Sequence, residues 1–125
     1  MNRISGPLLD RIDLSLHVQP ATGTELSRNP PVESSAIVAS RVHQARTLQT
    51  QRGDSSNAEA NPALIPLSEA ARALAEQACD RLRLSPRGHT RVLRVARTIA
   101  DLAGIAVVQR QHVAEALAFR IHGRP

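Results

Sequence analysis

Residues 85–104 read SPRGHTRVLRVARTIADLAG, and this stretch decides the architecture. Ser85 is a good helix N-cap, Pro86 falls at the first helical position, and Gly104 follows the end, the expected asymmetry of a helix start and stop. Between these signals Val92, Val95, Ala96, Ile99, Leu102 and Ala103 recur at helical spacing and share one face. Arg87, Arg91, Arg94 and Arg97 occupy the opposite side. Asp101 lies four residues after Arg97, where the two side chains can pair.

The reading extends outward from this helix in both directions. A last helix over about 110–121 carries Val113, Ala116, Leu117 and Ile121 on one side. Upstream, Ser68 caps a helix in which Ala71, Leu74, Ala75, Ala78, Cys79 and Leu82 keep the helical period. An earlier helix begins near Ser34 or Ser35 and runs to about Arg52, where Gly53 stops it. Its apolar stripe, Val38, Val42, Ala45 and Leu48, is narrow. Residues 19–33 and 53–66 are polar, rich in Pro, Gly or Asn, and read as loops.

Residues 7–18, PLLDRIDLSLHV, end on an alternation of Ile12, Leu14, Leu16 and Val18 with Asp13, Ser15 and His17. Period-two alternation predicts a strand, and a single strand needs partners, which are expected upstream in a longer parent chain. Met1-Asn2-Arg3 suits an added start on such an excised piece. The expected fold class is therefore mainly α: a small helical bundle preceded by a short strand segment. Residues 1–18 form the strand segment, 19–66 a linker or insertion with one helix, and 67–125 the helical domain.

Composition sets bounds on function. The 125 residues suffice for one domain with a modest core, and that core is aliphatic because Phe119 is the only aromatic residue. The net charge is +5 and all 16 basic residues are Arg, a set suited to bidentate phosphate or carboxylate contacts, although genome base composition accounts for it equally well. Cys79 is alone, so an intramolecular disulfide and a multi-cysteine zinc site are both excluded, and its place on an apolar stripe suits an inert buried thiol. There is no apolar run near 18 residues and no signal peptide, which predicts a soluble, cytoplasmic protein with no membrane partner.

The chain lacks the groups that an autonomous enzyme needs. No phosphate-binding GxxxxGK[ST] loop is present, no HExxH occurs, and His17, His43, His89, His112 and His122 are scattered without metal-ligand spacing. No metal site and no catalysis by this chain alone are expected. Two arginines stand out instead. Arg11 sits between an apolar turn and the strand start, where its side chain is either aimed by the backbone or merely paired with Asp10 or Asp13. Arg87 lies in the first turn of the best-defined helix, where an arginine opposes the helix dipole unless an anion is bound there. The alternative for Arg87 is a solvated arginine on a polar helix face.

ISGPLLDRIDL at residues 4–14, followed downstream by LSPRGHTRVLRVARTIADLAG and HVAEALAFR, resembles the C-terminal end of magnesium-chelatase-like AAA+ ATPases of the ComM (YifB) type. The LLDR motif is shared more remotely with the MCM helicases. The resemblance implies an all-helical AAA+ lid, with residues 1–18 as the end of the ATPase core. It implies that Arg11 is the arginine finger reaching ATP bound by a neighbouring subunit. It also implies that Arg87, in the RG pair opening the lid helix, is the sensor-2 arginine. A guanidinium supplied in trans contributes roughly 10³–10⁵ in rate to phosphoryl transfer. ATP and Mg would be cofactors of the parent protein, with none bound tightly by this segment.

The implied partners are neighbouring subunits of a homo-oligomeric ring, a hexamer, and DNA. The implied activity is ATP-driven branch migration in natural transformation and recombination. Two alternatives remain open on the sequence. One is the ATPase subunit of a magnesium or cobalt chelatase. The other is a free-standing basic helical module that contacts nucleic acid through Arg91, Arg94 and Arg97 beside Arg87, with steeply salt-dependent affinity.

Overall fold

The computed structural model describes residues 14–16, 18, 33–54 and 60–121. Four helices carry the fold: α1 (Ser35–Gln51), α2 (Glu69–Leu82), α3 (Pro86–Leu102) and α4 (Arg110–Ile121), with a 3-10 turn at Pro62–Leu64 ahead of α2. Three of the four start on a serine. Ser34, Ser68 and Ser85 are extended, and their hydroxyl oxygens accept the N–H groups of Ile37, Ala71 and Gly88 at 3.2, 3.1 and 3.0 Å. Each satisfies a donor that the helix itself leaves open.

Helix α4 starts differently. His112 Nδ1 accepts the Gln109 N–H at 2.9 Å, one half of a capping box with an imidazole in place of the usual carboxylate. An imidazole accepting at Nδ1 carries its proton on Nε2, so the tautomer is fixed by the cap. His112 is buried, and its capping role was not revealed by the spacing of the histidines.

The core is built from small side chains. Ala71, Ala96 and Ala100 are fully enclosed, together with Val92, Val108 and Val113. Helix α4 lies against both α2 and α3, while α1 packs on α3. The loops ahead of α2 and α4 are tied by two backbone hydrogen bonds. Ser68 N–H donates to Val108 O at 3.0 Å, and Val108 N–H donates to Pro66 O at 2.9 Å. The isolated parallel bridge of Leu67 with Val108 closes this contact.

Three expectations are corrected. Residues 14–16 and 18 form no strand, and the N–H of Ser15 donates to the Phe119 carbonyl of α4 at 3.0 Å. Alternation marked an extended segment, but the acceptor that meets it is a helix end. Ile12, Asp13 and His17 lie outside the described residues. On α1, Val38 and Val42 of the expected stripe are exposed, Leu48 is half-buried, and the buried pair is Ala45 and Gln49. On α3 the covered face is rotated toward Gly88, Val92, Leu93, Ala96, Arg97, Ala100 and Asp101, leaving Leu102 and Ala103 exposed. Helix α1 covers part of the side that the arginine spacing had assigned to solvent.

Among the described residues, positive φ angles fall at helix ends. Arg83 closes α2 at φ 50°, the left-handed region, and Gly104 follows α3 at φ +71° with open space around the position of a Cβ. Relief of about 1–2 kcal/mol of steric cost, partly offset by glycine entropy, makes Arg83→Gly stabilising by about 0.5–1 kcal/mol. Gly104→Ala is expected to destabilise by about 1–2 kcal/mol although nothing blocks its methyl group. Urea unfolding of the two variants checks both signs.

Candidate functional site

The first turn of α3 forms one corner of the bundle. Pro86 has no N–H, the Gly88 N–H is taken by Ser85 Oγ, and the His89 N–H donates to Ser85 O at 2.9 Å. The remaining donor of the turn is the N–H of Arg87. The Arg87 side chain is exposed, and no hydrogen bond or ion pair engages it among the described residues. A guanidinium in the first turn of a helix lies at the positive end of the dipole, an arrangement that favours an anion between them.

A second guanidinium reaches the same corner from another element. Gly88 is buried, and a methyl group built on it would lie 3.2 Å from Arg120 Nη2 and 3.4 Å from Ser85 Oγ. The last turn of α4 thus lays Arg120 across the start of α3, an approach for which glycine leaves room. The RG pair therefore has a division of labour: Arg87 faces outward, and Gly88 admits Arg120. Sequence reasoning missed Arg120, since only a fold can bring residues 88 and 120 together; the glycine inside a helical first turn was the available signal of a close approach.

The other arginines of α3 do not form a solvated basic stripe. Arg91 is half-buried. Arg94 Nε donates to the Ala60 carbonyl at 2.9 Å. Arg97 is buried and spans the turn after its own helix, donating to Ile105 O at 2.7 Å and Ala106 O at 2.6 Å. Arg97 also pairs with Asp101 at 3.0 Å, the i, i+4 contact expected from the spacing. Arg94 and Arg97 are occupied by the protein itself. Arg11 lies outside the described residues.

Asp101 is the centre of a polar cluster that sequence reasoning found only in part. Its side chain is fully enclosed, and Arg52 meets it bidentately, Nη1 to Oδ1 and Nη2 to Oδ2, both at 2.8 Å. Gln49 Nε2 donates to Oδ2 at 3.2 Å. Hydrogen bonding to Asp101 holds the Arg52 guanidinium above its ordinary pKa, and partial burial opposes this without reversing it. Cys79 is half-buried, with its Sγ directed to the Leu84 carbonyl at 3.8 Å. Among the described residues no three metal-ligating side chains come together, and no helix is long and apolar enough to cross a membrane.

A small helical bundle with an arginine at the first turn of its best-defined helix is the arrangement expected of a chelatase-type lid. The family model described as "Magnesium chelatase, subunit ChlI C-terminal" matches residues 32–120, and the chain belongs to this family. It is 38% identical over 125 residues to the competence protein ComM of Haemophilus influenzae and 42% identical over 126 residues to the uncharacterized protein YifB of Escherichia coli. It is also 39% identical over 131 residues to an uncharacterized protein of Mycobacterium tuberculosis. The first two alignments each take in 96% of this chain and 25% of the relative, and the third 98% and 26%. The chain thus spans about a quarter of the length of these relatives and resembles the ComM/YifB type.

Removing the central carboxylate tests the polar cluster. Asp101→Ala leaves Arg97 buried without its acid and is expected to destabilise by about 3–5 kcal/mol. Arg97→Met in that background is expected to recover part of the loss, because the orphaned charge is gone. Urea unfolding of the single and double variants checks the sign of the recovery.

Proposed function

We propose that this chain is the lid of an ATP-driven AAA+ motor of the ComM type, and that its Arg87 corner meets the phosphates of ATP bound in an assembled ring. The observation that carries the reading is the first turn of α3: an exposed guanidinium, an unused amide and a second guanidinium gathered at the positive end of a helix. The sequence resemblance assigns the sensor-2 role to the same arginine on independent grounds. This agreement of position and motif supports the phosphate reading over that of a solvated arginine.

The corner fits a polyphosphate. Arg87 is free to hold a terminal phosphoryl group, and Arg120 adds charge beside it. Phosphoryl transfer spreads negative charge over the oxygens of the transferred group, and a fixed guanidinium stabilises that charge without reorganising. ATP and Mg²⁺ are proposed as cofactors of the longer parent protein. Arg11 is proposed as the finger reaching the neighbouring subunit's nucleotide, with support from the LLDR motif alone.

The proposed work is translocation on DNA, branch migration during natural transformation and recombination, by a homo-hexameric ring in the cytoplasm. The Haemophilus influenzae relative is a competence protein, which favours this over porphyrin metallation. A basic module acting alone through α3 is disfavoured by the internal engagement of Arg94 and Arg97.

The test is made in the full-length gene product. Arg87→Ala is expected to weaken ATP binding or turnover about tenfold or more, in the range of a lost charge-assisted contact. Arg11→Ala is expected to lower turnover about 10³-fold or more while nucleotide binding survives. Turnover and nucleotide affinity equal to wild type in Arg87→Ala would return that residue to solvent.

A further inference from the structure

Helix α1 covers α3 with only part of its length. Ala45 and Gln49, each 3% exposed, are its buried residues, and Arg52 at the same end reaches Asp101. At 3.6 residues per turn, Val38, Val42, Ala45 and Gln49 fall within a sector of about 60°. Val38 and Val42 are nevertheless 40% and 46% exposed. The face that packs on α3 thus runs on uncovered through residues 35–44, a strip roughly 15 Å long.

The cations bordering this strip are engaged by the chain itself. Arg41 pairs with Glu33, and Arg46 Nη1 donates to Gln49 Oε1 at 2.5 Å. What the strip offers is Val38, Ala39 and Val42 along one shallow groove, a surface for an apolar protein partner and not for a nucleic acid. A second copy of the 125-residue chain is a poor occupant on grounds of area. The strip is one helix wide, about 10 Å, whereas a stable association needs about 800 Å² from each partner. A surface joined to it covalently needs far less, because the contact is then intramolecular. The chain spans about a quarter of the length of its relatives. We infer that the uncovered strip of α1, centred on Val38 and Val42, docks against an apolar surface of the remaining three-quarters of the same polypeptide. The polar cluster at Asp101 holds one end of α1 on the bundle, and the strip carries the other half of the helix onto the rest of the molecule.

The test compares amide hydrogen exchange of residues 36–44 in the 125-residue chain and in the full-length gene product, each without nucleotide and at a concentration where it is monomeric. Amides near a helix start exchange by local opening, and a docked face suppresses that opening. Exchange is expected to be about tenfold or more slower in the full-length protein. Val38→Asp combined with Val42→Asp removes the fit. Both side chains are exposed in this chain, so its urea midpoint is expected to change little, while the full-length protein loses the protection of residues 36–44.

Equal exchange at the two lengths overturns the inference. Protection that arises only when the full-length protein assembles puts a neighbouring subunit on the strip, and overturns the choice of occupant. Protection of the short chain that grows with its own concentration does the same in favour of a second copy. If the two substitutions unfold the short chain, the strip is covered within the chain and the inference fails.

Discussion

An enclosed carboxylate has to be met by donors, and in this chain that requirement draws three segments together. Asp101 sits near the end of α3 with none of its side chain exposed. Arg52 and Gln49 bring the C-terminal end of α1 to it, and Arg97 links it to the carbonyls of residues 105 and 106 on the way to α4. Apolar contact would not fix α1 in place, since Ala45 is the only hydrophobic residue of that helix that is buried. A polar cluster of this kind adds little net stability over an apolar one, but its hydrogen bonds from Arg52 and Gln49 tie the end of α1 to one place on α3. The cluster thereby sets the register of α1, while the alanine and valine core supplies the cohesion.

The helix starts were legible because each rests on local chemistry. Ser34, Ser68 and Ser85 needed only a hydroxyl placed before an apolar period, and Gly53 and Gly104 end their helices in the left-handed conformation that glycine tolerates. The helix faces were less legible. Periodicity reports which residues are apolar, and it placed Arg97 with the solvent although the cluster around Asp101 takes it inward. On α1 it favoured Val38 and Val42 over Gln49, because it cannot know that the covering surface is polar. The strand expectation failed for a related reason: alternation describes an extended segment and is silent about its acceptor.

The candidate site divides along the same line. Arg87 was visible in the sequence because its meaning is local, a cation at the wrong end of a helix. Arg120 and Gly88 acquire meaning only when α4 returns across α3, thirty-two positions apart in sequence. The capping role of His112 likewise depends on a side chain turning back on its own helix start, where Glu or Gln would have been recognised. The serine caps and the Arg97–Asp101 pair were legible because their partners lie within four positions and follow common patterns, whereas the histidine cap and the contacts between elements were not.

The alanines of the core bear on how such a body transmits force. Helices that meet through Ala71, Ala96 and Ala100 approach closely, and short side chains have no alternative rotamers into which they can re-pack. Such a core offers few internal rearrangements into which a displacement imposed at one end could be absorbed. Exchange of these methyl groups for longer, softer side chains would give the same four helices a more yielding interior.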